Sequence, residues 1–541
     1  MFIEPVFGKK FFGREEVLAN LNKRVTALKG GYRQNMALAG PMLTGKSSIL
    51  RHFLKNIDDP DIIPVYIEME EENFDVFCIR MMATLLYRFL DSVGENTDGD
   101  LDLFRETARP YIPDTVKCID YIRAALSAKK KNAAYEKLLG LTSVFKTETG
   151  KSCIVILDEF HNLSNFGLKT PFKTFGKFIM VQKNTMYIVS SSQRTLLKEL
   201  LSKKLSLLFG NFEVIDIDGF DPQTARSFMT EKMRGVRDTE KIMDFMIQLC
   251  GGNPFYLELL SNRFTELNRQ SGGKWTSREC LLEAFAGGLY ESGGILNQYF
   301  TNNLNFFLEK KSRKKYIPVL LALAAGNSRL KEIHKYLGRQ DKQLSSKLAK
   351  LQHMDLVYKS GVFYKIQDKL FEFWMRNVYN LRSSSMIDDM DIRYIEFKKL
   401  VGEEYDSYLA FASRPVDIIV RDLFSAFDKD KVSIRMHDRK LPKFDTVRLA
   451  RISPGISELS ARTGKTKWVC RMKTAEMADE DDINDLWKKR SDLNIVRKIF
   501  IPFKGIEHNA FLLAKEQNIW IWDTRELNNL LRIFLAHEIV S

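Results

Sequence analysis

One eight-residue segment constrains this chain more than any other feature. Gly40-Pro41-Met42-Leu43-Thr44-Gly45-Lys46-Ser47 matches the pattern G-x-x-x-x-G-K-[ST] at every fixed position. Glycines let a backbone loop wrap a phosphate with its N–H groups pointing inward. The lysine neutralises the β- and γ-phosphates, and the serine hydroxyl reaches Mg²⁺. The segment predicts a nucleotide-phosphate loop, and the alternative is a glycine-containing turn without a chemical role.

The flanks of this loop favour the first interpretation. Asn35–Ala39 is a short apolar run that predicts the strand before the loop, and Ser48–Leu54 predicts the helix after it. The helix N-terminus adds a dipole that favours phosphate. We therefore predict an ATP site made of Gly40, Pro41, Met42, Leu43, Thr44, Gly45, Lys46, Ser47 and Ser48.

A second apolar run, Ile154–Leu157, ends in the carboxylates of Asp158 and Glu159. In phosphate-loop NTPases the aspartate at a strand end holds Mg²⁺, and an adjacent glutamate can polarise the attacking water. We predict Lys46, Asp158 and Glu159 as catalytic residues, and Ser47 and Asp158 as ligands of Mg²⁺. The alternative is a strand that simply meets solvent at acidic residues.

The next predicted strand leads into a run of polar residues. Met186–Ser190 is followed by Ser191, Ser192, Gln193 and Arg194. If this strand lies between the loop strand and the Asp158 strand, these groups face the γ-phosphate. We therefore name Ser190, Ser191 and Arg194 as sensor candidates, the arginine acting in its own or a neighbouring subunit. A serine-rich helix cap explains the same residues without a function.

Strands and helices alternate over residues 1–220, which is typical of a parallel sheet covered by helices on both faces. A lysine-rich helical segment at 114–147 is longer than one crossover needs, and it predicts an insertion or a helical hairpin. The predicted strands are Asn35–Ala39, Ile63–Ile67, Cys153–Leu157, Met186–Ser190 and Val214–Ile217.

Five short motifs occur in order along residues 1–300. They are Phe11-Phe12-Gly13-Arg14-Glu15, Gly40–Ser47, Leu157-Asp158-Glu159-Phe160, Ser190-Ser191-Ser192 and Gly251-Gly252-Asn253-Pro254-Phe255-Tyr256. Together they resemble the archaeal-type ATPases of the STAND clade, relatives of the AAA+ enzymes that include the origin-recognition ATPases. The resemblance implies ATP with Mg²⁺, a helical lid after the core, Arg14 near the nucleotide and Pro254 packed against its base.

Residues 311–369 form a basic segment. Fourteen Lys and Arg stand against four Asp and Glu, a net charge of +10 out of +14 for the chain. Apolar spacing predicts helices at Ile317–Ala325, Leu330–Gly338 and Asp341–Met354, then a hairpin turning at Lys359-Ser360-Gly361, which is the order of a winged helix. Related ATPases carry such a module after the lid. It binds DNA in one interpretation and is structural or protein-binding in the other. The candidate DNA contacts are Lys342, Gln343, Ser346, Lys347, Lys350 and Lys359.

Residues 386–541 resemble the PD-(D/E)xK nuclease-like domain that often closes these ATPases. Active members hold a divalent metal with an Asp and a later Glu, and a Lys follows the Glu by two residues. Asp445 fits the first position, Lys473 fits the Lys, and Asp417 is the acidic residue of the first helix. Arg471 stands where the Glu belongs, and a guanidinium has no acceptor for a metal. Either the domain has lost its chemistry and kept a DNA- or protein-binding role, or another carboxylate such as Glu476 substitutes. The elements that carry this resemblance are Pro415–Phe427, Phe444–Val447, Lys467–Lys473, Ile483–Lys489, Lys498–Ile501, Ala510–Lys515 and Ile519–Trp522.

We therefore predict a multidomain α/β protein. It comprises a P-loop ATPase core at 1–220, a helical lid at 221–305, a winged helix at 306–385 and an inactive restriction-endonuclease-like α/β domain at 386–541. Three functions follow: an ATP-driven switch that binds DNA, a STAND-type signalling or defence ATPase that binds a protein partner, and an ATP-gated nuclease. The lysine cluster favours the first over the second, and Arg471 disfavours the third.

Several protein classes are disfavoured. The six cysteines and seven histidines are scattered, without the short spacings of a zinc or redox motif. No run of 18 apolar residues and no signal peptide is present, so we expect a cytoplasmic protein without a membrane partner. A homo-oligomer or a protein partner is compatible with the sequence.

Overall fold

The structure is a computed structural model, and it describes residues 4–70, 73–95, 98–205, 212–308, 310–338, 340–384, 389–434, 437–489 and 494–540. The chain divides into two compact units. The first is Met1–Phe220 with Asn253–Phe255 and His353–Asp355, and the second comprises the remaining residues.

A five-stranded parallel sheet forms the centre of the first unit. Its strands stand in the order β2-β3-β4-β1-β5, so that β4 lies between the loop strand β1 and the Asp158 strand β3. This confirms the predicted parallel sheet and the additional strand between those two. The strands are β1 (Asn35–Ala39), β2 (Ile62–Glu68), β3 (Ser152–Asp158), β4 (Thr185–Ser191) and β5 (Phe212–Asp216).

Helices cover both faces of this sheet. Alternate strand residues enter two separate apolar cores: Val155 and Val189 pack on one face, and Ile156 and Ile188 pack on the other. Two of the helices form the helical hairpin predicted at 114–147. The helices are α1 (Glu15–Lys29), α2 (Lys46–Lys55), α3 (Phe74–Ser92), α4 (Leu101–Ala108), α5 (Pro113–Ser127), α6 (Lys131–Thr149), α7 (Pro171–Val181) and α8 (Arg194–Glu199).

The second unit begins with helices and a short antiparallel hairpin. Three helices followed by β6 and β7 reproduce the element order predicted for residues 317–366, although the third helix begins later than predicted. The elements are α9 (Pro222–Lys232), α10 (Glu240–Cys250), α11 (Pro254–Ser271), α12 (Ser277–Phe285), α13 (Ile295–Phe307), α14 (Lys310–Ala324), α15 (Leu330–Tyr336), α16 (Leu344–His353), β6 (Val357–Ser360), β7 (Phe363–Ile366), α17 (Lys369–Trp374), α18 (Asn380–Ser384) and α19 (Met390–Ala412).

A mixed five-stranded sheet, ordered β10-β11-β12-β13-β14, occupies the C-terminal part of this unit. The first three strands are antiparallel and the last two join in parallel. One apolar core packs under α20 and α23, and another packs under α21 and α22. The elements are α20 (Val416–Ser425), β8 (Lys431–Ile434), β9 (His437–Lys440), β10 (Thr446–Ser453), β11 (Ile456–Thr463), β12 (Thr466–Lys473), α21 (Glu480–Lys488), β13 (Asn494–Pro502), α22 (His508–Glu516), β14 (Trp520–Ile521) and α23 (Thr524–Phe534).

Three general expectations can be compared with the described residues. No helix among them is long and apolar enough to cross a membrane. All six cysteines are buried free thiols. No group of three or more His, Cys, Asp or Glu in the described ranges is arranged to hold a metal ion.

Candidate functional site

Glycines allow the backbone conformation of the loop between β1 and α2. Gly45 has φ 91° and Leu43 has φ 62°, both in the left-handed region. A Cβ on Gly40 would lie 2.1 Å from the carbonyl oxygen of Ile217. Glycine at position 40 therefore allows a close approach of two backbones, and glycine at position 45 allows the turn into α2.

Lys46 is buried at the start of α2. Its Nζ donates a hydrogen bond to the Pro41 carbonyl oxygen at 2.8 Å, so the side chain lies back across the loop. Burial lowers the pKa of the Lys46 ammonium, and the carboxylates of Glu159 and Asp158 act in the opposite direction. A desolvated cation inside a loop of backbone N–H groups favours an anionic ligand such as phosphate.

Asp158 ends β3 and is fully buried, and hydroxyl groups surround its carboxylate. Ser47 Oγ donates to it at 2.6 Å, and Tyr66 OH donates at 2.7 Å. Ser190 Oγ, one of the predicted sensor groups, donates to the other carboxylate oxygen. Burial, followed by the charge of Asp158, raises the pKa of Tyr66 well above its ordinary value. The phenol therefore stays a donor, and the sequence analysis did not identify it.

Glu159 follows Asp158 in the left-handed region, with φ 52°. Its Oε2 accepts the Ser192 backbone N–H at 2.8 Å and the Ser192 hydroxyl at 2.9 Å. His161 Nδ1 lies 3.3 Å from the same oxygen and 2.9 Å from Ser191 Oγ. Ser191, the second sensor candidate, thus contacts His161 and not Asp158. Sequence reasoning missed the roles of Ser192 and His161, because they depend on how the β3 and β4 ends are juxtaposed.

Two arginines named from the sequence also lie near the loop. Arg14 has φ 71°, and its guanidinium donates to the Thr44 carbonyl at 3.1 Å and the Asp218 carbonyl at 2.5 Å. The structure thus places Arg14 against the phosphate loop. Arg194 forms ion pairs with the carboxylates of Asp218 and Asp216. In this arrangement its charge is neutralised by protein groups.

Pro254 is the first residue of α11. The turn before it uses glycines at positive φ, 61° at Gly251 and 70° at Gly252. Asn253 Oδ1 accepts the Phe255 backbone N–H at 3.0 Å and so caps the helix. This geometry explains the residue types of the motif, and the contact of Pro254 with a base stays a prediction.

The residues around the loop fit Mg²⁺ and a nucleotide triphosphate. Mg²⁺ takes hard oxygen ligands, commonly one or two from protein together with phosphate oxygens. Ser47 Oγ and Asp158 Oδ2 lie 2.6 Å apart and supply such oxygens. Within the described ranges, the donors to the buried Asp158 carboxylate are hydroxyl groups and the Glu159 N–H, which leaves its charge available to a cation.

The predicted DNA-binding helix differs in part from the expectation. Lys342 and Gln343 precede α16, which begins at Leu344 and not at Asp341. Ser346 and Lys350 are exposed on the helix, as are Lys342 and Gln343 before it. Lys347 is less accessible than the other candidates, because its Nζ pairs with Asp341 at 2.5 Å and the two side chains are only 13% and 12% exposed. Asp341, six residues earlier and before the start of α16, neutralises this lysine.

The predicted wing is closed at its tip. The Gly361 N–H donates to Ser433 Oγ at 3.1 Å, and the Val362 N–H donates to the Lys431 carbonyl at 3.0 Å. A Cβ on Gly361 would lie 1.9 Å from that carbonyl oxygen. The β6–β7 turn is therefore packed on β8. Lys359 stays exposed, with its Nζ 5.5 Å from the Tyr364 ring.

Asp445 is not in the position that a nuclease site requires. Asp445 immediately precedes β10. Its Oδ2 accepts the N–H of Gly464, in the turn between β11 and β12, at 2.8 Å. The register of β10, β11 and β12 places it beside Arg462 and Lys467, at the opposite end of the sheet from Lys473. Six residues along β12 correspond to roughly 20 Å. Asp445 and Lys473 cannot share a metal ion.

The carboxylate opposite Arg471 is Glu458, on a strand that the sequence analysis missed. Arg471 Nη2 lies 3.1 Å from Glu458 Oε2, and Lys489 Nζ lies 3.0 Å from Oε1. Lys473 pairs with Asp482 at 2.7 Å. Separately, Asp417 is held by Arg451 at 3.0 Å and by Ser457 Oγ at 3.3 Å. These acidic groups therefore have cationic or hydroxyl partners within the protein.

Residues 11–260 match the family model of an ATPase domain predominantly from Archaea. The chain is similar in fold to a Walker-type ATPase of Pyrococcus abyssi, with 19% identity over 68% of this chain and 97% of that one, and a TM-score of 0.46. It is also similar to the ORC2 protein of Aeropyrum pernix, with 10% identity over 75% and 98% of the two chains and a TM-score of 0.43. It is also similar to the RuvB Holliday junction branch migration motor of Thermotoga maritima, with 12% identity over 69% of this chain and 98% of that one, and a TM-score of 0.34.

A search of the curated proteins gave no match. The domain match confirms the expectation of an archaeal-type ATPase domain. The structural likenesses are too distant to transfer the role of any residue to this chain. The STAND assignment, the winged helix and the nuclease-like domain stay predictions.

Proposed function

We propose that this protein is an ATP-hydrolysing switch that couples its nucleotide state to DNA binding. One observation carries the ATPase part: Lys46, Ser47, Asp158 and Glu159 converge at the carboxyl edge of a parallel sheet. The match of residues 11–260 to an archaeal ATPase domain supports the same conclusion.

Each group at this edge has a distinct task. The loop amides and Lys46 would bind the phosphates, and Ser47 with Asp158 would hold Mg²⁺. When bound, the metal ion neutralises charge on the β- and γ-phosphates. The hydroxyls of Tyr66 and Ser190 fix the orientation of the Asp158 carboxylate.

Glu159 is the proposed general base. Ser192 holds its Oε2 with two hydrogen bonds, and no described residue donates a hydrogen bond to Oε1. That oxygen can accept the proton of the attacking water, while Ser192 and His161 keep the carboxylate in place. The left-handed backbone at Glu159 turns its side chain toward the end of β4.

Exposed cations before and along α16 support the DNA part. Lys342 and Lys350 are exposed, and no carboxylate of the described chain lies within ion-pair distance of them. Lysines of this kind bind phosphates without reading sequence. The pairing of Arg471 with Glu458 argues against the nuclease alternative, because the carboxylate is neutralised by cations and a guanidinium cannot ligate a metal.

The test measures ATP turnover by the full chain, with and without duplex DNA, together with DNA affinity at two salt concentrations. We expect DNA to change turnover and Lys46→Ala to abolish it. The double variant Lys342→Glu/Lys350→Glu should weaken binding and flatten its salt dependence. The matched control reverses Lys173 and Lys177, two exposed lysines of α7.

The two parts of the proposal fail separately. Normal turnover in Lys46→Ala would refute the ATP site. Turnover that is indifferent to DNA, together with no binding at low salt, would refute the coupling and favour a protein partner.

A further inference from the structure

A second basic segment lies in the C-terminal part of the chain. Residues 429–473 contain thirteen Lys and Arg against four Asp and Glu, a net charge of +9. The summed net charge of residues 311–369 and 429–473 exceeds the +14 of the whole chain, so all other residues together carry a net negative charge. Charge of one sign is therefore concentrated in two places.

The structure separates the neutralised cations of this segment from the others. Arg451, Arg471 and Lys473 are paired with Asp417, Glu458 and Asp482. Lys443 is likewise paired with Asp428. Three of the cations without such partners, Arg462, Lys465 and Lys467, lie at the β11–β12 turn, and Arg439 and Arg497 lie over the ring of Trp520. We call this set the Arg–Trp end of the sheet, and it consists of Arg439, Arg462, Lys465, Lys467, Arg497 and Trp520.

Strand register brings these residues together from different parts of the chain. Arg462 and Lys467 are opposite partners on β11 and β12, and Lys465 lies in the turn between these strands. Arg497 on β13 is the partner of Trp468 on β12. Side chains of directly paired residues lie about 5 Å apart. Several cations thus lie at one end of one sheet.

Trp520 supports two arginines at this end. The guanidinium carbon of Arg497 lies 4.0 Å from the Trp520 ring centroid, and that of Arg439 lies 5.4 Å from it. Trp468 packs edge-on against Trp520, with the ring centroids 5.6 Å apart. Stacking on an aromatic ring holds a guanidinium in place and leaves its N–H edge available to an oxyanion such as phosphate.

These arginines have no counter-ion within the described chain. No described carboxylate lies within ion-pair distance of Arg439, Arg497, Lys465 or Lys467, and Arg497 Nε is buried without a hydrogen-bond partner there.

Two carboxylates lie near these cations, and each accepts a hydrogen bond from an uncharged donor. Asp438 accepts the Ser433 hydroxyl at 2.7 Å, and Asp445 accepts the Gly464 N–H. Burial, and secondarily the charge of Arg439, lowers the pKa of Arg497. A bound anion would offset the repulsion between the Arg497 and Arg439 guanidinium groups.

We propose that the Arg–Trp end of the C-terminal sheet binds the phosphate backbone of duplex DNA, as a contact separate from Lys342 and Lys350. Arginine forks match phosphate geometry, and cations spread over several strands suit a partner whose charge repeats at regular intervals. This inference rests on the proposed DNA-binding function and adds a second surface to it. Contacts of this kind position the duplex without reading its sequence.

The test uses the full chain and a fluorescently labelled duplex titrated at several salt concentrations. The variant Arg439→Glu/Lys465→Glu changes two exposed side chains. We expect its affinity at low salt to fall at least tenfold and its salt slope to flatten by about 2, since each lost phosphate contact contributes roughly 0.9. The control Lys488→Glu/Lys515→Glu alters two exposed lysines of α21 and α22 and should behave as the wild type.

The variant Arg439→Gln/Lys465→Gln, which removes the charges without reversing them, should show a smaller effect of the same sign, and thermal melting of every variant checks folding. An unchanged affinity and slope for Arg439→Glu/Lys465→Glu would overturn the inference. If Lys342→Glu/Lys350→Glu is impaired in that case, the proposed function stands. The converse pattern would keep the inference and refute a DNA contact at Lys342 and Lys350. A wild-type protein that binds an acidic peptide but no duplex would overturn both.

Discussion

Replacing Glu159 by Gln should stop ATP hydrolysis and preserve ATP binding. The side-chain oxygen of glutamine can accept both the backbone N–H and the hydroxyl of Ser192, which now reach Glu159 Oε2 at 2.8 and 2.9 Å. The substituted side chain therefore keeps its position. What it loses is the negative charge and the ability to take a proton.

The expected magnitude follows from the role of a general base. Such groups typically contribute 10²–10⁴-fold, which is about 2.7–5.4 kcal/mol in the barrier at 1.36 kcal/mol per factor of ten. Ser192→Ala is the graded comparison, because it removes one hydrogen bond to a carboxylate, worth about 1.5–3 kcal/mol, and leaves the backbone N–H. Its rate should fall less than that of Glu159→Gln.

Single-turnover hydrolysis with protein in excess measures the chemical step, and titration with a fluorescent ATP analogue measures binding. We expect Glu159→Gln to bind ATP at least as tightly as the wild type, because a negative charge near the phosphates has been removed. An unchanged single-turnover rate would place the base elsewhere. Loss of binding would show that Glu159 supports the site structurally and is not its base.

Three further predictions concern other parts of the chain. Lys46→Ala should lose both binding and turnover, because it removes the buried cation of the phosphate loop; equilibrium binding and steady-state hydrolysis measure this, and wild-type values would refute the site. Tyr66→Phe should lower the free energy of unfolding by about 1.5–3 kcal/mol, since it removes one hydrogen-bond donor to a buried carboxylate. At about 2–4 °C per kcal/mol, the Tm should fall by about 3–12 °C, and a Tm equal to that of the wild type would contradict the Asp158 network. The full chain should cleave neither plasmid, linear nor single-stranded DNA with Mg²⁺ or Mn²⁺ and ATP, because Arg471 pairs with Glu458. Cleavage in a gel assay that disappears in Glu458→Ala would promote the nuclease hypothesis.

The sequence predicted the first sheet well for a physical reason. Strands buried on both faces must be short apolar runs, and a phosphate loop leaves little freedom in the spacing of its residues. Lys46, Ser47, Asp158 and Glu159 could be named because their motif positions are local in sequence. Tyr66 and His161 could not be named, and the contact of Ser192 with Glu159 could not be predicted, because these contacts arise only where β2, β3 and β4 end side by side.

The C-terminal sheet was predicted less well because one strand has a weak pattern. β11 carries Leu459 and Ala461 toward the core, but its neighbours include the buried Glu458, whose charge hides the apolar alternation. Missing that strand shifted the assignment of the acidic position to Asp445. The ion pair of Lys347 was not predicted for a related reason: helical spacing places this lysine on the polar face, and its contact with Asp341 arises only in the folded chain.

The closed turn at Gly361 has a consequence for the length of DNA that this protein can cover. The turn is hydrogen-bonded to Lys431 and Ser433 on β8, and Arg439 lies on β9, the partner strand of β8. The β6–β7 turn is thus hydrogen-bonded to the strand pair that carries Arg439 of the Arg–Trp end. If Lys342 and Lys350 contact the same duplex as the Arg–Trp end, and this contact keeps the two sets of cations at a fixed distance, nuclease protection should give a footprint of one length in ATP, ADP and nucleotide-free states.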